Sequence, residues 1–366
     1  MTDNTPAANE PTTSAAATDE FTSQMAAEIA AQPEALARTL DTVLPLRPEI
    51  AKLAEGRRWL LLIARGSSDN AAVCARYLAE IHSGWNAALA APSVATLYGA
   101  KRDLSDTLAV AVSQSGSTQE IVETCTWAKE LGAATIAVTN VEGSPLSEVA
   151  DLTLLTRAGQ ELAVPATKTF TTQVAALTAL VDALAPERGS LDADFARVPE
   201  VAQAMLGTDP AVLDEMVTVL AGTDEVLTSG RGITFGTTLE AALKLEETCL
   251  RPVRGLSYAD LKHGPMAIVD AELATVLVAG PDGPSLPGLV DLAGQVRGTG
   301  SPVIGFGGND AFRQACDLAV PGPDLPEALA PIVLPLPVQL LVERLARALG
   351  LNPDQPRGLK KVTQTD

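Results

Sequence analysis

The sequence predicts an α/β protein of two tandem domains, each a parallel sheet flanked by helices in doubly wound, flavodoxin-like layers. Short apolar runs of strand length alternate with segments of helical periodicity, which is typical of parallel sheets with right-handed crossovers. A unit of strand, glycine-containing loop and helix recurs with a period of about 165 residues. The length of 366 residues and the hydrophobic content of 46% are sufficient for two domains.

The predicted elements follow in chain order. Residues 1–20 carry almost no large apolar side chain, so we expect a disordered tail there. Apolar side chains at helical spacing predict helices over 21–51, 71–81 and 169–184. Apolar runs predict strands at 59–64, 87–91, 107–112, 135–139 and 152–155, and in the second domain at 225–229, 274–279 and 302–306. We therefore expect a first domain over 21–190, a second over 191–352 and a C-terminal segment over 353–366.

Composition argues against several classes of function. The net charge of −19 argues against nucleic-acid binding and against attachment to an anionic membrane surface. We find no apolar run long enough for a membrane span and no signal peptide, so we expect a cytoplasmic protein. Four scattered cysteines without a CxxC pair fit a reducing compartment. Two histidines without a Cys/His cluster predict no structural zinc site.

One loop of the predicted first domain has the character of a phosphate site. Between the apolar run 107–112 and the following helix lie four hydroxyls, one amide and one glycine, in the order Ser113, Gln114, Ser115, Gly116, Ser117 and Thr118. The first turn of a helix has unpaired N–H groups and favours an anion. An ordinary N-cap and polar turn would account for only one of the hydroxyls. No lysine follows Gly116, so this is not a Walker loop with its metal-bound nucleotide.

A second loop of the same kind follows the apolar run 59–64. It contains Gly66, Ser67 and Ser68, and it leads into a predicted helix. Loops that follow neighbouring parallel strands meet at the carboxyl edge of a sheet, so the two loops are expected to converge. The second domain has Gly-Pro-Asp-Gly-Pro at 280–284 in place of the hydroxyl-rich loop. The predicted phosphate site therefore belongs to the first domain.

A predicted helix of the second domain carries a candidate acid–base group. Glu240, Lys244 and Glu247 are spaced i, i+4 and i+7, which places them on one helix face. They could form a surface ion pair worth only about 0.3–0.5 kcal/mol. Apolar residues of the same helix, however, place part of this face near a core. A carboxylate there can have its pKa raised into the range of proton transfer. His263, in a Lys-His-Gly-Pro turn, is poorly placed to be a packed core histidine.

Eight motifs in a fixed order identify a family resemblance. In the order of the chain they are Met25-x-x-Glu28-Ile29-x-x-Gln32-Pro33, Ala64-x-Gly66-Ser67-Ser68, Ser113-Gln114-Ser115-Gly116-x-Thr118, Glu161-x-x-Val164-x-x-Thr167-Lys168, Gly230-Arg231-Gly232, Glu240-x-Ala242-Leu243-Lys244-Leu245-x-Glu247, Leu261-Lys262-His263-Gly264-Pro265 and Asp354-Gln355-Pro356-Arg357 with Lys361. The chain resembles the double sugar-isomerase (SIS) domain proteins. The likeness is strongest to the isomerase half of glutamine–fructose-6-phosphate aminotransferase and to stand-alone glucosamine-6-phosphate deaminase relatives.

The resemblance implies two SIS domains and a phosphosugar pocket without a metal or redox cofactor. It implies that Glu247 is the general base, that His263 opens the sugar ring and that Lys361 meets the open-chain carbonyl. In such relatives the histidine crosses from a neighbouring subunit, so a homodimer is implied. Substrate contacts are implied for Gly66, Ser67, Ser68, Ser113, Gln114, Ser115, Thr118, Val164 and Lys244. The resemblance implies that Ser113, Gln114, Ser115 and Thr118 hold the phosphate, with Ser67 and Ser68 close by, and that the backbone of Val164 contacts the sugar.

The sequence departs from the aminotransferase at several points. That synthase needs an N-terminal amidotransferase domain with a cysteine after the initiator methionine, whereas this chain begins Met1-Thr2 and its first cysteine is Cys74. We therefore expect no glutamine-derived ammonia. Ser117 replaces an acidic residue of the synthase loop, Ala166 replaces a serine that faces the sugar, and Arg251–Arg254 replaces an aromatic and acidic segment. These differences concern the identity of the sugar more than its phosphate.

The leading hypothesis is a glucosamine-6-phosphate deaminase that also isomerises, releasing fructose 6-phosphate and ammonia. The alternatives are a deglycase acting on a phosphorylated sugar–amino-acid adduct and a non-catalytic phosphosugar sensor. A sensor commonly has one SIS domain and a basic DNA-binding module, whereas this sequence has two copies of the pattern and retains Glu247, His263 and Lys361. We expect segment 353–366 to fold over the sugar as a lid that carries Lys361. Its deletion from residue 354 is expected to leave melting temperature and dimerisation nearly unchanged.

Overall fold

The computed structural model of the chain describes residues 23–187 and 189–361. The predicted tail over 1–20 lies outside the described residues, as do positions 362–366 of the predicted lid. Within the described residues, no helix has both the length and the apolar content needed to cross a membrane.

The first sheet has five parallel strands. They are β1 (Trp59–Ile63), β2 (Asn86–Leu89), β3 (Thr107–Val112), β4 (Ala134–Thr139) and β5 (Leu152–Leu155), arranged in the order β2-β1-β3-β4-β5. All residues of β3 and β4 are buried, because helices cover both faces of the central strands. This explains why these strands are continuous apolar runs without alternation.

The second sheet repeats the topology of the first. Its parallel strands are β6 (Glu225–Gly230), β7 (Val253–Ser257), β8 (Leu273–Ala279), β9 (Val303–Gly307) and β10 (Leu318–Val320). The order β7-β6-β8-β9-β10 is the order of the first sheet with every number raised by five. The predicted internal duplication is thus present in the topology. The edge strands β7 and β10 were not predicted, because one is half exposed and the other has only three residues.

Helices pack around both sheets and between them. They are α1 (Gln24–Ala30), α2 (Gln32–Val43), α3 (Arg47–Leu53), α4 (Ser67–Leu78), α5 (Ser93–Thr96), α6 (Gln119–Glu130), α7 (Pro145–Val149), α8 (Lys168–Leu184), α9 (Asp192–Phe195), α10 (Val198–Leu206), α11 (Pro210–Ala221), α12 (Phe235–Cys249), α13 (Tyr258–Lys262), α14 (Leu286–Arg297), α15 (Asp310–Ala315), α16 (Ala330–Val333) and α17 (Pro335–Ala348). One continuous apolar cluster extends from Met25 in α1 to Ala346 in α17 and includes side chains from both sheets. The two halves therefore share a core.

Helix α4 joins the halves by packing against α12. Gly236 permits this approach, since a Cβ there would lie 2.3 Å from the carbonyl oxygen of Asn70 and 2.4 Å from Cys74 Sγ. The predicted start of α4 at residue 71 is wrong, because the helix begins at Ser67, directly after Gly66 in a left-handed conformation. Ser67 and Ser68 consequently lie in the first helical turn and not in a loop.

Candidate functional site

The hydroxyl-rich loop links β3 to α6 at the carboxyl edge of the first sheet. Ser113 Oγ accepts a hydrogen bond from the Gly116 N–H at 3.2 Å and lies 3.4 Å from Thr118 Oγ1. Gly116 has a φ of 61°, and a Cβ there would lie 2.2 Å from Ser144 Oγ. Both its backbone conformation and its surroundings therefore require glycine. The loop is a fixed turn whose polar groups border a cavity.

That cavity has two adjoining lobes. The smaller, of about 130 Å³, is bordered mainly by the loop residues Ser113, Gln114, Ser115 and Thr118. The larger, of about 350 Å³, is bordered by Gly66, Ser67, Val164, Lys244 and Glu247. Five of the bordering residues are common to both lobes: Arg65, Ser68, Gln114, Thr118 and Lys361. The two predicted loops converge here because β1 and β3 are adjacent strands.

Helix α12 carries a buried ionic cluster into the larger lobe. Lys244 Nζ lies 3.5 Å from Glu240 Oε1, donates to Ser67 Oγ at 3.2 Å and donates to Glu247 Oε2. The side chains of Lys244 and Glu240 are only 1% and 2% exposed, so this is not a surface ion pair. Glu247 is 25% exposed and can reach a ligand in the lobe.

Charges within the cluster determine which groups stay ionised. Burial alone would lower the pKa of Lys244, but Glu240 and Glu247 outweigh burial and hold that pKa above its usual value. Burial raises the pKa of Glu240, although Lys244 and a 2.8 Å hydrogen bond from Asn70 Nδ2 oppose the change. Lys244 therefore favours its protonated form beside Glu247.

The C-terminal segment reaches the cavity through Lys361. Its Nζ donates to Glu161 Oε2 and to the Ala163 carbonyl at 2.8 Å. Glu161 also accepts from the N–H groups of Thr167 and Thr169, at 3.0 and 3.1 Å, at the start of α8. Burial would raise the pKa of Glu161, but Lys361 and these hydrogen bonds hold it below its usual value. The carboxylate thus ties Lys361 to the start of α8.

Asp354 fastens the same segment to the body of the protein. Its carboxylate accepts from the N–H groups of Gln24 and Met25 at 3.0 and 2.8 Å, where α1 begins. Its carbonyl accepts from the Val164 N–H at 2.8 Å. The expectation that deletion from residue 354 leaves stability nearly unchanged is therefore not supported by the structure. These bonds fix α1 and the Val164 segment, so a lid-specific truncation has to begin after Pro356.

All the predicted site residues except His263 border this cavity. His263 is exposed at the end of α13 and does not border the cavity of its own chain. A larger cavity, of about 550 Å³, lies between α10, α11 and the segment after β10. Its lining is largely apolar, with Val201, Met205 and Val212, and it contains none of the predicted site residues.

Sequence reasoning missed several residues of the site. Arg65, Glu161, Thr169, Leu359 and Lys360 also border the larger lobe, as does Ala166, which the resemblance had placed facing the sugar. Glu161 belongs to one of the family motifs, but its burial beside Lys361 depends on two segments 200 residues apart. Arg65 could have been found, since it directly precedes Gly66 at the end of a predicted strand.

Comparison with known proteins supports the resemblance. The SIS domain profile matches residues 53–183. Glutamine–fructose-6-phosphate aminotransferase of Thermococcus kodakarensis is 33% identical over 350 residues, which cover 92% of this chain and 57% of that protein. This chain thus spans less than three fifths of the length of that relative.

Two solved structures are similar along their whole length. The C-terminal domain of glucosamine-fructose-6-phosphate aminotransferase from Francisella tularensis has a TM-score of 0.82 and 26% identity, covering 93% of this chain and 100% of that one. A protein of Silicibacter pomeroyi DSS-3, provisionally described as a phosphosugar isomerase, has a TM-score of 0.82 and 33% identity, covering 91% and 100%. On these matches, the chain belongs to the SIS domain family.

Proposed function

We propose that the protein is an amino-sugar-phosphate deaminase and isomerase that converts glucosamine 6-phosphate into fructose 6-phosphate and ammonia. The observation that carries the proposal is one cavity with hydroxyl and amide donors in its smaller lobe and Glu247, Lys244 and Lys361 around its larger lobe. Such donors suit a phosphate, and a carboxylate beside amines suits proton transfer on a sugar. Relatives named for fructose 6-phosphate aminotransfer support the same class of substrate.

The proposed reaction requires one proton transfer and one hydrolysis. With the ring opened, Glu247 removes the proton from C2 and an enolamine forms between C1 and C2. Return of the proton to C1 leaves a ketimine at C2. Water then adds to the ketimine, and ammonia leaves. A positioned carboxylate typically contributes about 10²–10⁴-fold to such a step.

Lys244 and Lys361 have supporting roles in this scheme. Lys244 holds Glu247 by a direct hydrogen bond and stays charged in its buried cluster. Lys361 meets the open-chain carbonyl when the part of the predicted lid 353–366 that follows Pro356 closes on the sugar and excludes water, and this requires Lys361 to leave Glu161. Binding of the phosphate in the smaller lobe orients the reacting carbons of the sugar in the larger lobe.

Ring opening is assigned to His263 of a neighbouring subunit in a homodimer. The exposure of His263 at the end of α13 supports an intersubunit role, as does its absence from the residues that line both lobes of the cavity. We further propose that the second sheet and its helices form a second SIS domain, on the strength of the repeated strand order.

A subunit-mixing experiment tests the intersubunit assignment. Inactive Glu247→Gln protein mixed with inactive His263→Ala protein should regain activity, because a hybrid dimer has one pocket with both groups intact. Subunit exchange is verified separately with differently tagged chains. A mixture that exchanges subunits but stays inactive would show that each chain works alone.

The proposed reaction is tested by incubating the full chain with glucosamine 6-phosphate and measuring ammonia and fructose 6-phosphate. Glu247→Gln is the matched inactive control, since it preserves shape and removes the base. Equal amounts of both products, absent in the control, would support the proposal. Binding of the sugar phosphate without either product would instead identify a sensor.

One observation favours a deglycase as the second candidate. Lys360 borders the larger lobe, is exposed, and forms no ion pair within residues 23–187 and 189–361. Such a cation could hold the carboxylate of an amino acid leaving from a phosphorylated sugar adduct. The same assay with a fructosamine 6-phosphate tests this alternative. Lys360→Met should then lower the turnover of the adduct and leave the turnover of glucosamine 6-phosphate unchanged.

A further inference from the structure

Arg65 occupies a position that the predicted phosphate ligands do not account for. It follows β1 directly and borders both lobes of the cavity, together with Ser68, Gln114 and Thr118. Its Nε and Nη2 donate to the two carboxylate oxygens of Glu120, at 3.0 and 3.1 Å, in the first turn of α6. The side chain remains 45% exposed, whereas that of Glu120 is 13% exposed.

This two-point contact fixes the plane of the guanidinium group. Two of its five N–H groups are used by Glu120. The other three make no hydrogen bond within the described parts of the chain. A guanidinium held at one edge in this way can present its remaining donors to a phosphate oxygen pair. Glu120 thus positions the guanidinium group of Arg65 and leaves three of its donors for a ligand.

The charges around the cavity indicate which cation is available to a phosphate. The loop 113–118 contributes hydroxyl, amide and backbone donors but no cation. Lys244 is committed to Glu240 and Glu247, and Lys361 is committed to Glu161. A phosphate dianion entering a protein of net charge −19 needs local positive charge. Both Arg65 and Lys361 border the smaller lobe, but Arg65 keeps three N–H donors that no group of the described residues occupies, whereas Lys361 keeps one.

We infer that Arg65 binds the phosphoryl group of the substrate, with Glu120 as its positioning residue. The sugar part of the ligand rests on the function proposed above, whereas the phosphate contact does not. Arg65 then supplies a fixed charge and two parallel donors next to the neutral donors of the loop. Loss of such a charge-assisted contact weakens binding by about 10- to 100-fold.

The test measures binding of inorganic phosphate and of glucosamine 6-phosphate to the full chain by calorimetry. Arg65→Met should weaken both by about 10- to 100-fold. Arg65→Lys should cause an intermediate loss of phosphate affinity, because lysine keeps the positive charge but lacks the two parallel donors of a guanidinium group. Arg58→Met is the matched control, since Arg58 is exposed and precedes β1 at the opposite end of the strand. It removes the same charge and should leave phosphate binding unchanged.

Steady-state kinetics separate binding from chemistry. Arg65→Met should raise KM for the sugar phosphate with kcat nearly unchanged, and glucosamine without phosphate should be handled alike by both proteins. Phosphate bound equally well by Arg65→Met and the unaltered protein would overturn the inference alone. An equal loss of phosphate affinity in Arg58→Met would also overturn the inference, because the loss would then follow from the overall charge of the protein and not from a contact with Arg65. Normal Arg65-dependent phosphate binding without turnover would refute only the proposed reaction.

Discussion

Replacing Lys361 by methionine should destabilise the protein as well as inactivate it. The change leaves the Glu161 carboxylate buried with its four hydrogen bonds from Thr167 and Thr169 but without its cation. Removing one partner of a buried ion pair costs about 3–5 kcal/mol. Lys361 is 26% exposed and Glu161 keeps its other donors, so the lower end, about 3 kcal/mol, is expected.

Urea unfolding followed by tryptophan fluorescence measures this loss. Lys360→Met is the matched control, because its exposed neighbouring ammonium has no ion pair within the described residues, and it should stay within about 0.5 kcal/mol of the unaltered protein. Glu161→Gln combined with Lys361→Met should recover part of the loss, since no unpaired charge then remains buried. If Lys361→Met is as stable as Lys360→Met, the Glu161 pair does not anchor the C-terminal segment.

Three further perturbations follow from the same contacts. The pKa of Glu161 is lowered in the folded state, so its contribution to stability is present above its unfolded value of 4.5 and lost as pH falls through the folded value. The urea midpoint should therefore differ less between pH 7 and pH 3 in the Glu161→Gln, Lys361→Met double variant than in the unaltered protein. Gly116→Ala, at a φ of 61° and 2.2 Å from Ser144 Oγ, should cost about 1–3 kcal/mol and weaken phosphate binding, and full stability in a thermal melt would contradict this. Asp354→Ala should cost about 1–2 kcal/mol by uncapping α1, whereas Asp354→Asn, which keeps an acceptor oxygen, should lose less; equal losses in urea would contradict the capping role.

Much of the fold could be predicted because the signals are local. The buried strands β3 and β4 are continuous apolar runs, and the helices between them have clear periodicity. The duplication was visible because strand, glycine loop and helix recur in order. Strand β7 was missed because Arg254 and Gly255 interrupt its apolar pattern at the sheet edge. Strand β7 forms because it pairs with β6 by hydrogen bonds, and the local sequence carries no sign of that pairing.

The candidate site was predictable where one segment supplies several groups. The loop 113–118 and the α12 face both met that condition. The missed groups depend on contacts between distant segments, as in Arg65 with Glu120 and Lys361 with Glu161. A surface position for the Glu240–Lys244 pair was compatible with its i, i+4 spacing. Only the packing of α4 on α12 buries it, and Asn70 of α4 completes it.

The electrostatics of Lys244 restrict the chemistry that the site can perform. An amine that forms an imine with a sugar carbonyl must first lose its proton. Glu240 and Glu247 hold the pKa of Lys244 above its usual value, so this amine stays protonated at neutral pH. It can therefore donate hydrogen bonds and offset charge on Glu247 and on an enolamine, but it cannot act as the nucleophile. Lys244 is accordingly not the source of the ketimine nitrogen, which in the proposed scheme is the substrate's own and leaves as ammonia on hydrolysis.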